Sequence, residues 1–311
     1  MKVLITGANG FIGKALSKQL EENGITVNQV VRDYLGATDN ANFFIKEIDA
    51  QTDWQDALHK VDAVIHLAAR AHVVEKVNLD FPDLYTEINY LGALNLATQA
   101  AKACVKRFVF ISSIRVNGNE TITPFNEVQA TNPKEPYAVS KNKAEIGLRQ
   151  LAITSGLEVV IIRPPLVYGK NPKGNFKKLI GLCQSNLPLP FGAINNKRSL
   201  IYIENLVDFI MLCTHHPKAA NETFVIADGD DVSTTDLIKV IREASGNRPR
   251  LIPIPQILLV WLLKCLDKHA LATRLCGNLQ IDISKAKTLL GWKPPYTFKE
   301  GIARTMQDQV K

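Results

Sequence analysis

KVLITGANGFIGKAL, residues Lys2 to Leu16, changes character twice. A short apolar, β-branched run gives way to three glycines spaced three apart, Gly7, Gly10 and Gly13, which open onto a helical pattern. A loop that wraps a pyrophosphate needs a tight turn, close approach of its backbone and close packing of helix on strand, with helix N-terminal amides facing the phosphates. Three glycines alone are weak evidence. The strand before them and the helix after them supply the context. The stretch predicts a dinucleotide cradle in which Gly7, Asn9, Gly10, Phe11, Ile12 and Gly13 contact the cofactor.

The rest of the chain repeats this alternation. KVLITG, VNQVVR, AVIHLAA, RFVFISS and LEVVIIRP are separated by helical patterns such as KALSKQLEENG and LGALNLATQAAKA. Near-continuous apolar strands alternating with helices mean a parallel sheet covered on both faces, and right-handed crossovers make it doubly wound. The expected fold is therefore α/β, a Rossmann-type sheet with a smaller C-terminal substrate-binding lobe. After about Val167 the rhythm breaks into YGKNPKGN, NLPLPFGAINNKRS and GNRPRLIPIPQ. Residues 1–167 are accordingly expected to form the NAD(P)-binding domain, joined by returning segments from the later half, and residues 168–311 mainly the substrate lobe.

Bulk properties narrow the functional class. A chain of 311 residues with 46% hydrophobic and 22% charged residues is that of an ordinary globular protein with a large core. The formal charge of +7 is scattered rather than blocked, so a polyanionic small molecule accounts for it better than nucleic acid. Five cysteines, an odd number without a Cys-x-x-Cys pair, argue against a disulfide framework and a zinc knuckle, and no metal site is expected. Reduced thiols suit the cytoplasm. The apolar start is too short for a signal sequence. QILLVWLLKCL, from Gln256 to Leu266, is too short to span a bilayer; it is expected to be a packed or interface helix, with peripheral membrane contact as the alternative.

Two further stretches carry chemistry. At the end of the second strand, VVRDYLG offers Arg32 and then Asp33. A carboxylate there suits the ribose hydroxyl of NAD, whereas a guanidinium suits the extra phosphate of NADP; the order favours NADP(H) and leaves NAD(H) open. PYAVSK sets Tyr137 and Lys141 four apart, on one helix face. They are either a surface pair or a phenol held beside a cation for proton transfer. A phenol with pKa about 10 is a poor base near neutrality unless cations favour its anion, and lowering it by roughly three units takes about 4 kcal/mol.

The glycine loop, HLAA at His66 to Ala69, ISSIRVNG at Ile111 to Gly118 and YAVSK at Tyr137 to Lys141 stand in an order that resembles the extended short-chain dehydrogenase/reductase family. RPPLVYG, GNF, RSLIYIENLVD and LGWKPP are similar to its sugar-nucleotide epimerase and dehydratase branch, so the likeness runs through the whole chain. SSIRVNG with RPPLVYG and KGNF looks most like reductases that make UDP-N-acetylquinovosamine from its 4-keto precursor for surface polysaccharide.

The resemblance implies an acid/base at Tyr137, its partner and ribose anchor at Lys141, and a substrate-positioning hydroxyl at Ser113. It implies cofactor contacts at Leu67, Ala68, Ala69 and Asp49, besides Arg32, and a supporting role for Asn89. For the UDP-sugar it implies Asn175 and Arg198, with Arg274 and Asn278 in a less certain register; Arg115 is a further candidate substrate contact. Dehydratases carry an Asp-Glu pair after the catalytic hydroxyl, and this chain has Ile114 and Arg115, so elimination lacks its acid and base. The expected activity is reduction at C4 of a UDP-linked 4-keto amino sugar. A UDP-hexose 4-epimerase is the rival, and a non-catalytic nucleotide sensor the alternative of another class. Relatives pair through the helices near NYLGALNLATQAAKA and YAVSKNKAEIGLRQLA, which makes a homodimer the expectation. His66 is read as a packed residue, and His215 with His216 as a loop.

Overall fold

The computed structural model of the protein describes residues 1–32, 42–71, 84–172, 174–185 and 187–307. Its first strand, β1 (Lys2–Thr6), leads through the glycine loop into α1 (Phe11–Glu22) and β2 (Thr26–Val31), followed by β3 (Asn42–Phe44) and β4 (Ala63–His66). A continuous helical stretch comes next: α2 (Leu84–Thr86), a π-helical turn (Glu87–Gly92) and α3 (Ala93–Lys102). Then follow β5 (Arg107–Ile111), a 3₁₀ turn (Ile114–Val116), α4 (Pro136–Ser155), β6 (Glu158–Arg163) and β7 (Leu166–Tyr168).

Among the described residues, seven strands form one sheet in the order β3-β2-β1-β4-β5-β6-β9, where β9 is Thr223–Val225. Every pairing in it is parallel. The strand order reverses beside β1, so the carboxyl ends of β1 and β4 flank a crevice of the kind in which such sheets hold ligands.

The apolar strands explain the layering. Side chains alternate across a strand, and Val3 and Ile5 of β1 join one core cluster while Leu4 joins the other; Ile65 and Val64, Val109 and Phe108, and Val160 and Ile161 divide the same way. One face is covered by α1 and α6 (Ile203–His215), the other by α3 and α4. This is the two-sided burial that the uninterrupted runs predict.

The later half adds α5 (Gly174–Gln184), β8 (Arg198–Tyr202), β10 (Asp231–Val232) and α7 (Thr234–Ala244), and then α8 (Gln256–Cys265), α9 (His269–Cys276), α10 (Ser284–Leu290) and α11 (Phe298–Met306). A small second sheet runs β10-β8-β7. Tyr168 at the end of β7 donates its hydroxyl to Asp228 at 2.7 Å, and Asp228 also accepts from the Tyr202 amide and the Asn205 carboxamide. All five cysteines are free.

Of the two expectations for α8, a packed or an interface helix, the structure does not show the first. Only Leu259 is buried, in a small cluster with Ile194 and Cys276, while most of its other apolar side chains are exposed.

Candidate active site

The glycine loop folds as its spacing requires. Gly7 has φ 71°, in the left-handed region, and a Cβ there would sit 3.0 Å from the Ala68 amide nitrogen. The loop after β1 and the HLAA stretch after β4 therefore touch backbone to backbone. Gly10 donates its amide to the Gly7 carbonyl at 2.9 Å and stands at the N-cap of α1 without a side-chain cap, which leaves first-turn amides of α1 unsatisfied by any side chain there. At Gly13 a Cβ would strike the Gly7 carbonyl oxygen and lie 2.7 Å from the Ala8 Cα. A bare backbone cradle at a helix N-terminus fits a dinucleotide pyrophosphate.

Around the cradle, Thr6 is the fastening. Its hydroxyl meets His66 Nδ1 at 2.8 Å and accepts the Ala68 amide at 3.2 Å, fixing Leu67 to Ala69 beside the loop. His66 is fully buried and stacked on Phe110, with ring centroids 5.9 Å apart. Burial, helped by the nearby Lys141 charge, pulls its pKa down to about 3, so it is a neutral packed residue. Arg32 is exposed at the tip of β2, and Asp33 lies outside the described residues. The Asp49 carboxylate accepts from the Gln51 amide and the Thr52 hydroxyl, bonds that lower its pKa, and thus shapes its own turn.

PYAVSK opens α4. Pro136 takes the first helical position, where its missing N–H costs nothing, and Glu135 is the extended N-cap residue. Lys141 is 1% exposed; its Nζ donates to the Ile111 carbonyl at 2.8 Å and lies 4.3 Å from the Phe110 ring centroid. Tyr137 is half-buried, and its phenol makes no hydrogen bond among the described residues. Burial pushes Tyr137 up to about 12, opposed by the charge of Arg115. Burial also pulls Lys141 down to about 7, opposed by Glu145. Ser113 caps the 3₁₀ turn by accepting the Arg115 amide at 3.3 Å, and its hydroxyl proton stays available.

Arg115 links this group to the lobe. It forms an ion pair with Glu135, directly before Pro136. Burial lowers the pKa of Arg198, the repulsion of Arg115 and Arg274 lowers it further, and the attraction of Glu120 opposes both, so three other charges act on this one guanidinium. Arg198 also donates to the Gly277 carbonyl at 3.0 Å. Three arginines against the carboxylates of Glu120 and Glu135 leave a net positive charge suited to an anion. The neighbouring cleft, about 530 Å³, is lined by Glu120, Thr121, Gln256, Gly277 and Asn278 among others. The Asn278 side-chain oxygen is engaged with the Lys197 amide at 2.9 Å. Asn175 is exposed in the first turn of α5, and among the described residues no hydrogen bond joins it to the arginines.

Sequence reading missed a buried support. Glu145, one turn beyond Lys141 and fully buried, accepts from the Ser112 hydroxyl at 2.5 Å and from Arg163 at 2.5 and 2.9 Å. Arg163 continues to Asn117 at 2.9 Å. This network ties α4 to the ends of β5 and β6, behind the Tyr137 face. The i, i+4 step from Lys141 to Glu145 was visible, but its burial was not. Asn89, inside the π-helical turn, clasps both backbone groups of Arg70 and donates to the Ser140 hydroxyl, which donates to the Tyr137 carbonyl. Such turns often mark functional sites.

Comparison with known proteins gives this geometry a family. Residues 3–227 match the NAD dependent epimerase/dehydratase family, and the chain belongs to it. A UDP-glucose 4-epimerase of Vibrio cholerae is 43% identical over 309 residues, covering 98% of this chain and 94% of that protein. Among solved structures, a UDP-N-acetylglucosamine 4-epimerase from Bacillus cereus covers 100% of both chains with TM-score 0.82 at 23% identity, a likeness of fold. MoeE5, solved with UDP-glucose and NAD, covers 99% of this chain and 98% of its own with TM-score 0.78 at 25% identity.

Proposed function

We propose that the protein is a cytoplasmic, NAD-dependent 4-epimerase of a UDP-hexose, with residues 168–311 mainly shaping the sugar site. The observation that carries the reading is Arg115, whose ion pair with Glu135 sets it at the start of the helix that carries Tyr137 and whose charge acts on both Tyr137 and Arg198. A sugar diphosphate held by those arginines presents its pyranose toward the phenol. The 43% identity to the Vibrio cholerae 4-epimerase supports the same reaction.

When bound, the dinucleotide supplies a hydride acceptor and donor at the sugar C4. Gly7, Asn9, Gly10, Phe11, Ile12 and Gly13 hold its pyrophosphate, with Leu67, Ala68, Ala69 and Asp49 along its length. Tyr137 would take the proton of the C4 hydroxyl on oxidation of that carbon and return it to the same oxygen on reduction. Ser113 would donate a hydrogen bond from its free hydroxyl to the same oxygen. Charge from Arg115 favours the phenolate during the transfer, and Lys141, fixed on the Ile111 carbonyl, anchors the ribose. Elimination has no counterpart: Ile114 is buried and apolar, and Arg115 is paired with Glu135. We further propose a homodimer through α3 and α4; Ile146 and Ile153, two turns apart on α4, are both exposed.

The NADP(H)-linked 4-keto reductase is the competing reading, favoured by Arg32 at the tip of β2. One experiment separates the two. Purified protein is mixed with UDP-glucose or UDP-N-acetylglucosamine and C4 inversion is followed, while nicotinamide absorbance is followed with UDP-4-keto-6-deoxy-N-acetylglucosamine and NADPH. Inversion without net cofactor consumption is expected. Stoichiometric NADPH loss with the keto sugar, and no inversion, would make the protein a reductase.

A further inference from the structure

We infer that α8, with the approach to it and the turn into α9, is a docking surface for an anionic membrane. The inference does not depend on the reaction. Along α8, Gln256, Leu259, Val260 and Leu263 are the more buried positions and face the protein. The opposite arc carries Ile257 (84% exposed), Leu258, Trp261 (61%) and Leu262, and Leu266 follows just past the helix end. At helical spacing these side chains lie side by side, so the exposed arc is apolar almost throughout. A soluble protein rarely leaves such a contiguous patch uncovered.

Charge selects the occupant. Between residues 245 and 271 the basic residues are Arg248, Arg250, Lys264 and Lys268, against the single acidic Asp267. All four cations are exposed, two before the helix and two at or just beyond its last turn. A second copy of the chain seated on this face would bring like charges together. An anionic lipid surface instead matches them, accepting the apolar arc at the headgroup boundary with Trp261 at interface depth and the lysines and arginines snorkelling to phosphates. No helix of the described residues is long and apolar enough to cross a membrane, so the contact is peripheral.

The chain carries its own probe. Of its three tryptophans, Trp54 and Trp292 are buried and Trp261 is exposed. Full-length protein is mixed with vesicles of phosphatidylcholine and phosphatidylglycerol, or of phosphatidylcholine alone, and read by tryptophan emission and by flotation. With the anionic vesicles, a blue shift, protection from aqueous quencher and co-flotation are expected, each reversed by salt. The Leu258→Ser/Leu262→Ser double variant should lose about ten-fold in bound fraction and keep its turnover of soluble UDP-sugar and its melting temperature. A Lys264→Glu/Lys268→Glu variant should lose the salt-sensitive part. Absence of any shift or flotation with anionic vesicles overturns the inference, as does vesicle binding that the serine variant leaves intact. Sedimentation showing that the wild type self-associates and the serine variant does not would assign the face to a second copy and overturn it as well.

Discussion

Burial drives Tyr137 and Lys141 toward their uncharged forms, the phenol up to about 12 and the ammonium down to about 7. Lys141 is therefore held at a cost to the fold, and the sign can be worked out. Between the folded value near 7 and the ordinary lysine value of 10.5 the unfolded chain binds more protons than the folded one, so this group's contribution to stability rises with pH in that window. Lys141→Met removes the penalty. Its stability advantage over the wild type should be largest at and below pH 7 and shrink toward pH 10, with a slope of at most about 1.4 kcal/mol per pH unit. Urea unfolding across that range reads it; a gap that does not change with pH would mean Lys141 stays charged when buried. The same variant should lose turnover. Tyr137→Phe isolates the proton: kcat should fall by roughly 10²- to 10⁴-fold, while nucleotide affinity measured by calorimetry stays within a factor of about two, well under 1 kcal/mol. Full activity in that variant would remove the phenol from the mechanism.

Between the strands and the helices, glycines separate a structural need from a conformational one. Gly13 has no room for a methyl group, because the neighbours are the backbone of Gly7 and Ala8 and not a flexible side chain. Gly13→Ala must push α1 off the loop, with a stability loss of about 1–3 kcal/mol and loss of dinucleotide binding. Gly24, after α1, has φ 71° and nothing within 4 Å of a new Cβ, so Gly24→Ala carries only left-handed strain, about 1–2 kcal/mol. Melting curves should move for both variants and dinucleotide titration for the first alone; equal binding in both would detach the cradle from Gly13. This element was legible in the sequence because its glycine spacing, strand and helix are all local. The supports of α4 were not. Nothing in the local sequence joins Glu145 to Arg163, and only tertiary packing buries them together; removing one partner of such a pair is what becomes costly. Asn89 was legible as a supporting residue, but the π-helical turn that aims it was not, since nothing in INYLG departs from an ordinary helix.

Across the whole molecule, the parallel sheet follows directly from uninterrupted apolar strands, whereas the lobe had no such periodicity to read. The segment at 277–281 illustrates the difference. It runs beside the start of β8 at Leu279 and meets the chain at Thr121 and Phe125 through backbone bonds, long-range pairings that leave no local pattern. Those pairings carry Arg198 and Arg274 toward Arg115, and so the two halves of the chain meet as a cluster of like charge. Glu135 pairs with Arg115 and Glu120 attracts Arg198, yet the charges of Arg115 and Arg274 still act against that of Arg198, a repulsion that the proposed diphosphate would relieve. Two consequences follow for Arg198. Arg198→Ala should raise KM for the UDP-sugar by ten-fold or more, about 1.4 kcal/mol, with kcat changed much less, because in the proposed function the residue grips the diphosphate and not the proton in transit. It should also leave the ligand-free protein nearly as stable as the wild type, since the lost bond to the Gly277 carbonyl is offset by relief of like charge. Added UDP should then raise the melting temperature of the wild type and not of the variant. Arg198→Lys keeps a charge but not the planar fork, so partial recovery of KM is expected. If alanine left KM unchanged while lowering the melting temperature, Arg198 would be a strut between β8 and Gly277, and the anion site would have to rest on Arg115 and Arg274 alone.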